Sequence, residues 1–148
     1  MYSDTRGFTL FELIIVIVVI STLAFMSVGV TVNALKKNQI FVETDQIANI
    51  LRVAQSRSIS GTQDDVWGVH LTGTTYTLFR GATYATRDPT YDELHALPAG
   101  IVASGLVDII FEFRTGKTSN TGTITITDVE NGTTRTLTIN NNGRITDL

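Results

Sequence analysis

The chain has 148 residues, which leaves room for one globular domain. It has no cysteine, which excludes disulfide bridges, Cys-ligated metals and a thiol nucleophile. The net charge is −3 and no dense Lys/Arg block occurs, whereas a dedicated nucleic-acid binder usually carries a basic stripe. Apolar residues crowd the N-terminal quarter of the chain, and the remainder is rich in Thr, Gly and Asn.

The N-terminal apolar segment has the length of a membrane span. From Leu13 to Leu35 the sequence runs for 23 residues without a charge. At ~1.5 Å per residue such a helix extends roughly 34 Å, enough for a hydrocarbon core of about 30 Å. A secretory signal peptide would have a shorter apolar region followed by a small-residue cleavage site, and residues 30–33 do not offer one. The pattern therefore predicts a retained transmembrane helix.

A short polar leader, Met1 to Gly7, precedes this segment, and Glu12 lies at its edge. A carboxylate at the edge of an apolar span costs a few kcal/mol in lipid and needs a partner. The run from Gly7 to Leu13 reads Gly-Phe-Thr-Leu-Phe-Glu-Leu and resembles the type IV prepilin signal. The resemblance implies that a membrane-embedded aspartyl peptidase cuts between Gly7 and Phe8 and methylates the Phe8 amine.

Two interpretations of Glu12 remain open. In a filament its carboxylate would meet the Phe8 amine of a neighbouring subunit and set the axial register, as single polar residues do in coiled coils. Alternatively, the chain has an ordinary single-span anchor whose Glu12 reaches to the membrane interface. The resemblance implies an orientation with the leader in the cytoplasm and the head outside. The basic residues that flank the span do not favour this orientation.

The helix is predicted to continue beyond the membrane from Lys36 to Ser60, because this stretch contains neither Pro nor Gly. Gly61 is the predicted stop. Gly29 is either a hinge, as pilin helices often have near this position, or a glycine tolerated in a lipid-facing helix. A single buried face is predicted from residues at helical spacing: Ile40, Ile47, Leu51, Ala54 and Ser58.

Beyond Gly61 the hydrophobic period changes to two, which predicts strands. Residues 81–100 contain both prolines and are predicted to form a long excursion between sheets, and Asn131-Gly132 a two-residue turn. Strands are predicted at 66–71, 75–79, 106–114, 123–127 and 135–139, with a last one closing the chain near residue 145.

The order of segments after the leader resembles the minor pseudopilin family of type II secretion systems known as GspH/FimT. The resemblance implies a long N-terminal helix with two packed β-sheets, and a low-copy subunit at or near a filament tip. Some relatives bind DNA through a C-terminal Gly-Arg-any-Arg motif. Here Gly143-Arg144 is followed by Ile, Thr and Asp, so Arg144 gives only a weak indication of nucleic-acid binding. The matching segments are 51–57, 67–69, 97–101, 110–113 and 139–145.

An enzyme is the competing class, and its candidate residues are few. His70 is predicted to be a sheet residue. His95 is predicted in the loop between Pro89 and Pro98, near Asp92 and Glu93, where a metal ion would need three or four convergent ligands that the spacing does not supply. No phosphate-binding glycine loop follows a strand. The sequence therefore predicts no catalytic residue, metal or cofactor.

Together these observations predict an α+β protein, with a long helix, first transmembrane and then amphipathic, packed on an antiparallel β-sheet head. The predicted function is a minor pseudopilin that initiates or caps a secretion pseudopilus in the bacterial cell membrane, and the alternative is a minor type IV pilin in pilus assembly or DNA uptake. The expected partners are other pilin-like subunits and the prepilin peptidase. The predicted segments are the leader 1–7, the span 8–35, the amphipathic helix 36–60 and the head 61–148.

Overall fold

The computed structural model describes residues 9–147, and of residues 26–38 it describes the backbone alone. The chain divides into an N-terminal unit that ends at Asn38 and a head that begins at Gln39. One helix, α1 (Leu10–Ser60), supplies the described part of the first unit and the first segment of the second.

The N-terminal unit begins with a capped helix. The Thr9 hydroxyl accepts a hydrogen bond from the Glu12 backbone N–H at 3.3 Å, and the Thr9 carbonyl accepts one from the Leu13 N–H. A Thr at this position satisfies backbone donors that have no partner within the helix. The apolar side chains that follow are exposed, from 46% at Val16 to 89% at Phe25. Among the residues searched, which are those the structure describes, no helix is both long enough and apolar enough to cross a membrane.

Within the head, α1 buries one face against the sheets. Ile40, Ile47, Leu51 and Ala54 are fully buried, as their spacing predicted. Burying each of the larger side chains contributes roughly 1.5–3 kcal/mol. Gly61 ends the helix in the left-handed conformation, with φ of 69°, which glycine adopts without a Cβ penalty.

Two four-stranded antiparallel sheets pack with α1 around one core. The first sheet has the order β3-β2-β1-β5, and the second β4-β6-β7-β8. Their inward side chains, such as Val69 and Ile109 in one sheet and Ile124 and Leu137 in the other, are fully buried. This confirms the predicted α+β class. The strands are β1 (Trp67–Leu71), β2 (Thr75–Arg80), β3 (Glu93–Ala96), β4 (Ile101–Gly105), β5 (Asp108–Phe111), β6 (Gly122–Asp128), β7 (Thr133–Ile139) and β8 (Ile145–Asp147).

The middle of the head differs from the prediction in three places. The segment 81–100 is not wholly an excursion, because it contains a short 3-10 helix (Pro89–Tyr91) and strand β3. The single strand predicted over 106–114 is shorter, since β5 covers only Asp108–Phe111. Strand β4 was not predicted. Residues 106 and 107 instead form the link by which the chain passes from the second sheet to the first.

The predicted turn at Asn131-Gly132 is also wrong. The connection between β6 and β7 is a four-residue loop, 129–132, rather than a two-residue turn, because Asp128 pairs with Thr133. The Asp128 carboxylate accepts hydrogen bonds from the backbone N–H groups of Glu130 and Asn131, which fixes the longer loop. Glu43, which lies off the predicted stripe of α1, is nevertheless only 8% exposed.

Candidate functional site

The first candidate site is the start of α1. Glu12 lies in the first helical turn with an exposed side chain, next to Phe11, 72% exposed, and Leu13, 56% exposed. A carboxylate is favoured at this end of a helix because the helix dipole is positive there. The arrangement therefore presents one acid at the start of an exposed apolar surface.

The other predicted residues of this segment are Gly7, Phe8 and Gly29. The cleavage and methylation positions, Gly7 and Phe8, lie outside the described residues. Gly29 belongs to the backbone of α1, which is helical on both sides of it. The hinge at Gly29 therefore stays a prediction.

His70 takes part in a stack on the outer face of the first sheet. Its Nδ1 lies 2.7 Å from an Asp108 carboxylate oxygen on the neighbouring strand β5. Its ring lies parallel to that of Tyr84, with the centroids 3.7 Å apart. His70 is a sheet residue, as predicted. Its contacts with Asp108 and Tyr84 are structural ones, to a neighbouring strand and to another aromatic ring.

His95 lies in strand β3 rather than in a loop, so its predicted placement is wrong. Its ring stacks on that of Tyr76 across the strand pair, with the centroids 5.0 Å apart. Across the chain as far as the structure describes it, no group of three or more His, Cys, Asp or Glu side chains could hold a metal ion.

A buried acid lies near the same tyrosine. Burial raises the pKa of Glu43, since desolvation disfavours the carboxylate. Burial also raises the pKa of Tyr76, and the negative charge of Glu43 raises it further. The Tyr76 hydroxyl donates a hydrogen bond to Gln46 Oε1 at 3.4 Å. No pattern in the sequence indicated that Glu43 and Tyr76 are close, because α1 and β2 come together only in the folded head.

The C-terminal end of α1 is tied to strand β1 by polar contacts. The buried Ser58 hydroxyl accepts a hydrogen bond from the Trp67 backbone N–H at 2.8 Å. The Arg57 guanidinium lies 4.6 Å from the Trp67 ring centroid and pairs with Glu93 at 2.7 Å. These contacts fix β1 and β3 against the helix.

The last turn of the chain is fixed against the same helix end. The Gln55 side-chain amide donates a hydrogen bond to the Gly116 carbonyl at 2.9 Å. Gly143, with φ of 74°, lies so close that a Cβ there would collide with the Gly116 carbonyl oxygen and Gln55 Nε2. Arg144 follows with an exposed side chain. Three segments that resembled the GspH/FimT pattern, 51–57, 67–69 and 139–145, thus meet at this end of the head.

A long N-terminal helix packed on antiparallel sheets, with an acid one turn into its apolar start, defines a pilin-like protein. Residues 2–28 match the family model for the prokaryotic N-terminal methylation motif, and residues 43–143 match that for type II transport protein GspH. The chain belongs to the GspH family. No curated protein and no solved structure matches it.

The family matches confirm the resemblance seen in the sequence. The chain is a pilin-like protein of the type II secretion class with a prepilin-processing motif. The family is one of structural subunits rather than enzymes, and it indicates membrane anchoring and assembly with other pilins.

Proposed function

We propose that the chain is a minor pseudopilin, a structural subunit that helps to initiate or cap a type II secretion pseudopilus and so supports protein secretion. The observation that carries the proposal is the combination of two family matches in one chain, a methylation motif at residues 2–28 and a GspH head at 43–143. We assign it no catalytic role.

The N-terminal unit is proposed as both anchor and filament core. Residues 8–35 would span the membrane once, with the leader in the cytoplasm and the head outside. The exposed apolar side chains from Leu10 to Phe25 support this, because such a surface is stable only against lipid or other apolar helices.

Glu12 is proposed as the assembly residue. Cleavage after Gly7 would create an amine on Phe8, one helical turn from the carboxylate. In a filament core that excludes water, the Glu12 carboxylate would be neutralised by the Phe8 amine of a neighbouring subunit. An unpaired charge there would cost several kcal/mol, so the pair would set the register between subunits.

Substitution of Glu12 tests the assembly role in the cell that makes the protein. We expect Glu12→Ala to leave membrane insertion intact and to lower recovery with other pilin-like subunits after chemical crosslinking by roughly tenfold or more. Glu12→Asp keeps the charge and should retain most of the recovery. Mass spectrometry of the membrane form should show a methylated N-terminus at Phe8. Equal recovery of both variants would contradict the role of Glu12, and an intact Met1 would contradict processing.

The choice between secretion and piliation is tested by deleting the chain. A minor pseudopilin predicts loss of exoprotein from the medium, with surface pili and DNA uptake unchanged. Normal secretion with lost pili or DNA uptake would instead identify a minor type IV pilin.

A further inference from the structure

The basic side chains of the head fall into two groups. One group consists of arginines paired with carboxylates: Arg57 with Glu93, Arg80 with Asp65, Arg87 with Asp92 and Arg135 with Asp147. The other group has no carboxylate partner within residues 39–147, all of which are described: Arg52, Arg114, Lys117 and Arg144.

The unpaired group gathers around Gly116. Arg114 and Lys117 lie on either side of this glycine in the turn after β5, and Arg144 follows Gly143, which lies against it. Arg52 precedes by one helical turn the residue Gln55, whose side chain donates to the Gly116 carbonyl. The four cations without a carboxylate partner therefore lie near one another, close to the paired Arg57 at the same helix end.

Apolar side chains lie among these cations. Ile59, 46% exposed, lies beside Gly116, where an added Cβ would be 2.6 Å from Ile59 Cδ1. Phe113 is 36% exposed, and the Arg114 guanidinium lies 4.8 Å from its ring centroid. We call this surface the basic end, defined by Arg52, Ile59, Phe113, Arg114, Lys117 and Arg144.

The basic end is held rigidly. Arg114 has a left-handed backbone, with φ of 65°, although it is not glycine. Its N–H donates to the Ser58 carbonyl at 2.9 Å, and the Thr118 N–H donates to the Asn141 carbonyl at 3.1 Å. These bonds join the helix end, the turn after β5 and the C-terminal turn, so a partner would meet a preformed surface and little ordering entropy would be lost on binding.

We propose that the basic end is the docking surface for the acidic end of another pilin-like head. Three exposed acids lie within seven residues of these cations in the sequence: Asp45, Glu112, which accepts a hydrogen bond from Thr115, and Asp147, which pairs with Arg135. The four cations outnumber them. Apolar side chains surrounded by charges are typical of protein–protein interfaces, in which the centre is desolvated and the rim stays polar. An exposed aliphatic side chain such as Ile59 gives a base no face to stack on, which favours a protein partner.

The opposite end of this head shows what a complementary surface looks like. Phe41 lies 14 residues before Gln55 on α1, about 21 Å along the helix. It is 46% exposed there, and the Arg135 guanidinium, which pairs with Asp147, lies 4.5 Å from its ring centroid. The loop that precedes the strand of Arg135 adds Val129, 63% exposed, and the exposed acid Glu130. A head with such an apolar, acidic end would match the basic end in both charge and polarity. Contacts between unlike ends of neighbouring subunits generate filaments rather than closed dimers.

The inference rests on the proposed function, since it names the surface that would receive the next subunit. The full chain is produced in its own cell with the photocrosslinking residue p-benzoylphenylalanine at Phe113, and in a second strain at Leu94, a 68% exposed residue on β3. We expect the Phe113 probe to crosslink to a protein whose processed N-terminus is that of a pilin-like subunit, and the Leu94 probe to give little of this product.

The charge dependence is tested with matched variants. Lys117→Gln with Arg144→Gln removes two positive charges, and we expect about a tenfold loss of the Phe113 crosslink. Thr74→Glu with Ala99→Glu adds two negative charges on exposed turns at the opposite end and should leave the crosslink unchanged. The crosslink should also weaken at high salt. Unchanged thermal midpoints would show that both variants fold.

Each remaining outcome is decisive. The docking surface is contradicted if the Phe113 probe gives no crosslink, or a crosslink that the Lys117 and Arg144 changes do not weaken. The proposed function still stands in that case if Glu12-dependent recovery with pilin-like subunits persists. Loss of that recovery as well contradicts the proposed function itself. A shift of a short DNA duplex at physiological salt that is abolished by the same two changes would assign the basic end to nucleic acid instead.

Discussion

The imidazole of His70 and the phenol ring of Tyr84 lie nearly parallel, with an angle of 8° between their planes. The Arg87 guanidinium covers the other side of Tyr84 at 3.8 Å, and Arg87 is itself held by Asp92. Tyr84 also meets the edge of Phe79, which is fully buried. The loop 81–88 is thereby fixed across the outer face of the first sheet.

This stack predicts the effect of removing the tyrosine ring. Tyr84→Ala should lower the free energy of unfolding by about 1–3 kcal/mol, because a ring stack and a cation–π contact are both lost. It should also make the loop sensitive to protease, which limited proteolysis would show. Tyr84→Phe keeps the rings and should stay within about 0.5 kcal/mol of the parent. An equal loss in both variants would mean that the hydroxyl, not the stack, matters.

The Ser58 hydroxyl is the second test, because it satisfies a buried backbone donor. Ser58→Ala removes the hydroxyl that accepts from the Trp67 N–H and should cost about 1–3 kcal/mol of unfolding free energy. Ser60→Ala, two residues further on and exposed, is the control and should change little. Denaturant unfolding measures both. Similar values for the two serines would contradict the importance of this link between α1 and β1.

Two glycines with nearly the same backbone separate crowding from conformation. Gly143 has φ of 74° and Gly132 has φ of 65°, but only Gly143 is crowded. Gly132→Ala should cost about 1 kcal/mol through the left-handed backbone alone. Gly143→Ala should cost about 2–4 kcal/mol, since the new methyl must also displace Gln55 or Gly116. A Gly143→Ala variant no less stable than Gly132→Ala would show that the C-terminal turn yields easily.

The buried Glu43 predicts a pH dependence of stability. Its raised pKa means that the folded protein binds a proton more readily than the unfolded chain, so stability falls as pH rises from the ordinary carboxyl range toward and through the folded pKa. Glu43→Gln removes this penalty. We expect Glu43→Gln to have a higher Tm than the parent at pH 7. The difference should shrink as the pH falls through about 4, because the Glu43 side chain of the parent then becomes protonated in both the folded and the unfolded chain.

The control for Glu43 is an exposed acid on the same helix. Asp45→Asn removes the same charge from an exposed position and should not reproduce the pattern. A Tm difference between Glu43→Gln and the parent that stays constant with pH would mean that burial does not penalise this carboxylate.

Where a segment's own pattern decides its structure, the sequence predicted it well. The helix from residue 36 to 60 has one apolar face and no breaker, and β6 alternates Ile inward with Thr outward. Strand β3 escaped prediction because Glu93–Ala96 has no buried alternation, three of its four residues being exposed. It is a strand because β2 offers it backbone partners. Leu106 and Val107 look like strand residues, but they form the link between the sheets.

The site was predictable only in part, for a similar reason. The prepilin signal is a contiguous string, so Gly7, Phe8 and Glu12 could be named from the sequence. The partners of Ser58, Gln55 and Glu43 lie 9 or more residues away along the chain, or on another element. Nothing in the sequence near these residues indicates which atoms they will meet.

The passage of the chain between the two sheets has a consequence for folding. Strand β4 belongs to one sheet, β5 to the other, and β6 to the first of these again, so neither sheet is built from one continuous stretch of chain. Strand β1 gains its second neighbour, β5, only when residue 111 has been made. During synthesis, therefore, neither sheet can be completed before at least one strand of the other has been made. We therefore expect the two sheets to unfold together, and neither part of a chain cut between β4 and β5 to fold by itself.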